Sequence, residues 1–135
     1  MFRFTQVLLA MLLMITFMLA KDSDDAKREL EKFQGSWKLV GNDEVTLTFK
    51  GNEYEFNAGE VEKGKMSFNP GKKPAQVDVE ITAGNDAGKK QVGIYEWKDG
   101  KVKFCFGPAG SDKRPENFDK TDEEHITFEF EKVKK

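Results

Sequence analysis

The chain has 135 residues, with 22 basic side chains against 24 acidic ones, a formal net charge of −2 and a hydrophobic content of 38%. This balance argues against a nucleic-acid-binding protein, which needs a basic face. The length predicts one domain with a single core, and one cysteine excludes an intramolecular disulfide.

The first twenty residues differ in composition from the rest of the chain. Arg3 is followed by an almost unbroken apolar run from Val7 to Leu19. That run is short for a membrane span of ~20 residues and is typical of a secretory signal peptide. We expect cleavage after Ala20, which makes residues 21–135 one periplasmic or secreted domain. An uncleaved N-terminal anchor is the alternative, and it would be the only contact with a membrane.

Residues 22–33 predict a short helix. Asp22 or Ser23 is expected to cap its N-terminus, because such side chains accept hydrogen bonds from the first backbone N–H groups. Charged residues cover most of the helix surface. One apolar stripe at helical spacing remains, and it consists of Ala26, Leu30 and Phe33.

Roughly eight short segments follow, each of which alternates apolar and polar residues. They are separated by turn signals such as Lys98-Asp99-Gly100. No second segment with a helical period lies between them, which disfavours a parallel sheet. A row of strands with one apolar face must close or stack. We therefore predict an all-β fold, an antiparallel, roughly eight-stranded up-and-down barrel with a short N-terminal helix; a β-sandwich is the alternative.

The alternation assigns nineteen side chains to the barrel interior and turns Tyr95 and Trp97 to the exterior. Seven of the nineteen are phenylalanines. Because an eight-stranded barrel holds side chains or one small ligand, this many rings favours a largely filled interior. The assigned residues are Leu39, Val45, Leu47, Phe49, Tyr54, Phe56, Met66, Phe68, Val77, Val79, Ile81, Val92, Ile94, Val102, Phe104, Phe106, Ile126, Phe128 and Phe130.

Gly35-Ser36-Trp37, directly after the predicted helix, resembles the GxW signature with which lipocalins begin their first strand. Over residues 26–133 the chain is similar to an uncharacterised lipocalin-like domain family found mostly in planctomycete bacteria. Members of that family often consist of a signal segment and one such domain. The resemblance implies the barrel fold and no established function. It lies in the segments Glu29–Val40, Leu47–Gly51, Gly93–Glu96, Val102–Cys105 and Arg114-Pro115 with Phe118.

The chain departs from the lipocalin pattern at two places that matter for a binding site. The last strand has Lys132 where lipocalins favour an arginine over the tryptophan. By strand phase we expect Lys132 to lie near Trp37, so that Gly35, Trp37 and Lys132 form a structural signature. The link from Val40 to Val45 is shorter than in the family, so we expect the barrel mouth to be more exposed there.

If the barrel binds a ligand, we expect it to be a slender apolar chain that enters at the Val40–Val45 end. No acid, base or histidine is assigned to the interior, so we expect low specificity and fatty-acyl binding no tighter than about micromolar. The alternative is a structural or protein-interaction module of the cell envelope that uses the barrel exterior. The expected ligand contacts are Leu39, Leu47, Phe49, Phe56, Phe68, Phe104 and Phe128.

No constellation of catalytic residues is present in the sequence. His125 is the only histidine, and the chain offers neither a second histidine nor a pair of cysteines as partners for a metal site or a catalytic triad. Cys105 has no CxxC partner that would activate its thiol. We therefore expect a monomer that is not an enzyme and has no cofactor and no bound metal.

The long irregular segment over residues 107–124 is the candidate interaction loop. Arg114 offers a forked donor, Pro115 fixes the path of the chain and Phe118 offers an apolar anchor. We favour the alternative that this segment is a flap, which covers Tyr95, Trp97 and Cys105 on the barrel exterior.

Overall fold

The computed structural model describes residues 24–118 and 125–134. The expected secretion signal over residues 1–20, the helix cap at Asp22 or Ser23 and the end of the long segment lie outside the described residues. Within the two described ranges, no helix is both long enough and apolar enough to cross a bilayer.

A helix, α1, over residues 24–33 precedes eight strands. Each strand pairs antiparallel with its neighbours in sequence, and β8 pairs with β1, so the sheet closes into an up-and-down barrel. The predicted barrel with a short N-terminal helix is confirmed. The strands are β1 (Gly35–Leu39), β2 (Asn42–Lys50), β3 (Glu53–Asn57), β4 (Val61–Asn69), β5 (Ala75–Ala83), β6 (Lys90–Lys98), β7 (Lys101–Phe106) and β8 (Ile126–Lys132).

Successive connections alternate between the two ends of the barrel, because the strands run up and down. The β1–β2, β3–β4 and β5–β6 turns and the β7–β8 loop share one end, which we call the mouth. The remaining turns and α1 share the other, which we call the plug end. At the plug end Asp99 and Gly100 both have positive φ (55° and 76°), so the predicted hairpin between β6 and β7 is a two-residue type I′ turn.

The predicted interior side chains face inward except on β6. Gly93 pairs with the interior residue Val77, so Gly93 and the residues in phase with it, Tyr95 and Trp97, face the interior. The assignment of Val92 and Ile94 to the interior, and of the two aromatic residues to the exterior, is wrong.

The cause of this error is that the exterior of β6 and β7 is also covered. Ile94 and Cys105 are cross-strand partners on the outer face, yet they are only 1% and 0% exposed. An apolar residue is therefore stable on either face of β6. The phase is decided instead by the large rings of Tyr95 and Trp97, whose polar atoms find an acceptor inside the barrel.

Two glycines on inward positions let aromatic rings lie across the neighbouring strand. Gly64 pairs with Tyr54, and a Cβ on Gly64 would stand 2.8 Å from the tyrosine ring. Gly93 pairs with Phe106, and a Cβ there would stand 2.6 Å from the phenylalanine ring. Each ring occupies the space that a side chain would fill. The glycines thus position Tyr54 and Phe106 on the interior wall.

Candidate functional site

The plug end of the barrel is filled by aromatic side chains around Phe33. This residue of α1 is 0% exposed, and its ring stacks on Phe68 with 4.0 Å between the ring centroids. The rings of Trp97 and Phe49 lie 4.7 and 5.4 Å from it. The half of the barrel next to the plug end, which we call the inner half, is therefore packed by the protein's own side chains; the half next to the mouth is the outer half.

Glu29 joins α1 to the interior of the barrel by hydrogen bonds. It belongs to the face of the helix that the sequence assigns to solvent, yet it is only 6% exposed. The hydroxyl of Tyr95 donates to one carboxylate oxygen at 2.9 Å, and the indole of Trp97 donates to the other at 3.2 Å. Lys32 lies 3.2 Å from the same carboxylate. Burial raises the pKa of Tyr95, and the hydrogen bond to Glu29 raises it further.

The signature residues secure the end of α1 to the first and last strands. Trp37 donates from its indole N–H to the carbonyl of Phe33 at 2.8 Å. The Lys132 ammonium lies 5.0 Å from the Trp37 ring centroid and donates to the Gln34 carbonyl. The predicted proximity of Lys132 and Trp37 is confirmed, and the contact stabilises the plug end rather than a ligand site. Gly35 places its backbone beside the Lys132 side chain.

A cavity of about 180 Å³ opens at the mouth of the barrel. Nine of its thirteen lining side chains are apolar. An apolar cavity of ~150 Å³ is large enough to bind benzene, so this one accommodates a compound with about one aromatic ring. The lining consists of Leu47, Tyr54, Phe56, Glu62, Met66, Val79, Asp86, Gln91, Phe104, Phe106, Ile126, Phe128 and Phe130.

Four of the seven expected ligand contacts line this cavity, and three lie elsewhere. Leu39 is half-buried on β1, opposite Phe130. Phe49 and Phe68 belong to the packed cluster around Phe33. A ligand in the cavity would therefore contact only the outer half of the barrel, through Leu47, Phe56, Phe104 and Phe128.

The polar part of the lining was not expected from the sequence. The Tyr54 hydroxyl donates to the Glu62 carboxylate at 2.8 Å, and the Gln91 amide donates to the Gly107 carbonyl at 2.8 Å. Asp86 also lines the cavity. Burial raises the pKa of Tyr54, and its bond to Glu62 adds to that effect. The expectation that no acid faces the interior is wrong.

Part of this polar lining had a signal in the sequence. Glu62 precedes Gly64, Met66 and Phe68 in steps of two, so the alternation of β4 already places it inward. Gln91 is in phase with Gly93 and therefore faces the interior, but the wrong phase predicted for β6 assigned it to the exterior. Asp86 lies in a turn, where no period applies.

The described part of the long loop is fastened to the barrel exterior by Arg114. Its guanidinium donates to the carbonyls of Val77 and Gly93, at 3.1 and 2.9 Å, and to the Asp78 carboxylate at 2.6 Å. The forked donor expected to recognise a partner is therefore engaged within the chain.

Pro115 and Phe118 extend the same attachment. Pro115 is buried, and the Lys103 ammonium on the outer face of β7 lies 5.4 Å from the centroid of the Phe118 ring. Cys105 lies two residues further along that face and is fully buried. The described loop is thus attached as a flap beside the buried outer-face residues Ile94 and Cys105, whereas its expected cover of Tyr95 and Trp97 is wrong because both face the interior.

The described residues contain no group of three or more His, Cys, Asp and Glu side chains that could hold a metal ion. His125 borders a groove beside Arg114 and Pro115.

The geometry thus defines a small closed β-barrel that is packed at one end and has a narrow, mainly apolar cavity at the other. No family model, no curated protein and no solved structure matches the chain.

Proposed function

We propose that the protein binds a small, mainly apolar molecule in the cavity at the barrel mouth. The observation that carries this proposal is the cavity itself, about 180 Å³ in volume and lined mainly by apolar side chains. Apolar pockets with a few convergent polar groups are the usual form of small-molecule sites. In this proposal the chain is a non-enzymatic binding protein of the lipocalin-like family that its sequence resembles.

The size of the cavity limits the ligand and its affinity. The volume is below the ~300–1,000 Å³ of typical ligand pockets, and the cluster around Phe33 prevents a long chain from passing into the inner half. We expect a one-ring compound or a short alkyl chain. Because the ligand would make so few contacts, we expect a dissociation constant between micromolar and millimolar, which corresponds to a binding free energy of about 8 to 4 kcal/mol in magnitude.

The proposal includes export of the protein. The apolar run from Val7 to Leu19 supports a signal segment, and the domain then acts as an extracytoplasmic monomer without a cofactor. The alternative of an envelope interaction module at the flap has less support, because the guanidinium donors of Arg114 are already bound to the barrel.

The test is a titration with benzyl alcohol followed by methyl NMR. Met66 lines the cavity, so the NMR signal of its methyl group should shift in a saturable manner. Tryptophan emission is a poor reporter, since Trp37 and Trp97 lie together at the plug end with 5.7 Å between their ring centroids.

A matched pair of substitutions locates the binding. Ile126 lines the cavity and is 51% exposed, so Ile126→Trp should obstruct the mouth without overpacking the core. Val61 is 41% exposed and lies outside this lining, so Val61→Trp is the control. We expect loss of binding only in Ile126→Trp. A Met66 methyl that never shifts, or equal binding by both variants, would contradict it.

A further inference from the structure

We propose that this cavity selects a ligand with a primary ammonium head group over neutral or anionic analogues of the same shape. The inference rests on the proposed binding function and adds the chemical class of the ligand to it. It replaces the fatty-acyl ligand expected from the sequence, whose carboxylate would meet side chains of its own charge.

The lining presents more free hydrogen-bond acceptors than free donors. The Tyr54 hydroxyl is bonded to Glu62, and Gln91 uses one of its two amide N–H groups for Gly107. What remains for a ligand is one Gln91 N–H, the Gln91 carbonyl oxygen and the carboxylates of Glu62 and Asp86. An ammonium group has three N–H donors and no acceptor, so it complements this set.

Glu62 is the residue that gives the cavity its charge preference. Among the described residues, its carboxylate accepts one hydrogen bond, from Tyr54, and forms no ion pair. Asp86, in contrast, already lies 3.3 Å from the Lys89 ammonium. A ligand cation therefore finds at Glu62 a half-buried negative charge that the protein leaves uncompensated. Burial of this kind strengthens the attraction relative to a solvated pair.

The charge of the surrounding turns has the same sign. The three short turns at the mouth, residues 40–41, 58–60 and 84–89, carry two carboxylates and one lysine, and Asp43, Glu44 and Glu62 lie on the strands beside them. One of these carboxylates, that of Asp43, is paired with Lys38, and the described part of the flap adds two acids and two bases. A mouth with this balance attracts cations and repels anions.

The experiment compares four one-ring ligands on the intact protein by the Met66 methyl shift: benzylamine, benzyl alcohol, toluene and benzoate. All four fit the volume of the cavity and differ mainly in the head group. We expect benzylamine to bind at least tenfold more tightly than benzyl alcohol, and benzoate to bind at least tenfold more weakly. Added salt should weaken the binding of benzylamine and leave that of benzyl alcohol unchanged.

Two substitutions on the same hairpin assign the effect. Glu62→Gln keeps the shape of the lining and removes its charge, so it should reduce the preference for benzylamine over benzyl alcohol to under threefold. Glu60→Gln is the control, because that carboxylate bonds to Asn85 and lies outside the cavity lining; it should change the preference by less than twofold. Thermal melting of both variants checks that they remain folded.

The outcomes separate this inference from the proposed function. If benzyl alcohol and toluene saturate the cavity while benzylamine binds no more tightly, the charge selection is wrong and the binding function stands. If none of the four shifts the Met66 methyl, both are wrong. A benzylamine preference that survives Glu62→Gln and is lost in Glu60→Gln would also overturn the assignment, because the cation would then lie outside the cavity.

Discussion

Replacing Glu29 by alanine should destabilise the barrel more than any other single change on α1 that spares the aromatic cluster. The carboxylate accepts hydrogen bonds from Tyr95 and Trp97 at 2.9 and 3.2 Å, and hydrogen bonds to charged groups contribute roughly 1.5–3 kcal/mol each. Tyr95 is 1% exposed, so its hydroxyl would remain buried without its acceptor. The indole of Trp97 is only half-buried, so the loss of its acceptor costs less. We therefore expect a loss of about 3 kcal/mol.

Urea denaturation followed by tryptophan emission measures this loss, because both tryptophans lie at the plug end. Glu31→Ala is the matched control, since Glu31 is an exposed acid on the same helix; it should change the free energy of unfolding by less than about 0.5 kcal/mol. A double-mutant cycle with Tyr95→Phe isolates the hydrogen bond and should give a coupling of about 1–2 kcal/mol.

A Glu29→Ala variant as stable as Glu31→Ala would refute the reasoning. It would mean that the cost of burying the carboxylate cancels its hydrogen bonds, and that α1 is held by its remaining contacts, those of Phe33 and of the signature residues. A large loss with no coupling to Tyr95 would instead attribute the effect to Trp97 and Lys32.

Three further results are expected. Lys132→Ala should cost about 1–2 kcal/mol and shift the emission of Trp37, whereas Lys134→Ala should do neither; unchanged stability and emission in the first variant would contradict the contact. Arg114→Ala should raise the reactivity of Cys105 toward a thiol reagent by about 30-fold, equivalent to ~2 kcal/mol of flap opening, and an unreactive thiol would show that the flap is held otherwise. Both tyrosines of the chain have a raised pKa in the folded state, so their contribution to stability is fully present below about pH 10 and falls above it, by up to ~1.4 kcal/mol per pH unit for each tyrosine. Urea denaturation at about pH 9 and 11 should show this fall in the free energy of unfolding. A variant with phenylalanine at both positions should lose the part of the fall that the tyrosines cause.

The closed barrel was predictable because alternation and turn signals act locally. The signal Lys98-Asp99-Gly100 specifies a two-residue hairpin through positive φ at two positions, whatever surrounds it. The contact of Lys132 with Trp37 followed from strand phase in the same way. Such features depend on neighbours in sequence or in register, and both can be read from the chain.

The errors concern residues whose position depends on more than one layer of structure. Alternation assumes one apolar face on each strand, and β6 has two, because Ile94 is buried on the outer face while Tyr95 and Trp97 fill the interior. Glu29 looked solvated because helical periodicity does not reveal that Tyr95 offers it a donor 66 residues later. Of the polar lining, Asp86 reaches the cavity from a turn and Gln91 lies on the misassigned β6, whereas the alternation of β4 already placed Glu62 inward.

The most direct test of a ligand cavity at the mouth is a crystal structure of the protein with benzylamine. We predict one ring in the outer half of the barrel, in contact with Met66, Phe104 and Phe128, with the benzylamine nitrogen about 2.7–3.2 Å from a Glu62 carboxylate oxygen. The Phe33 cluster should be unchanged. Benzylamine bound only on the outer surface, or a mouth closed by movement of Phe106 and Phe128 with no ligand inside, would contradict it.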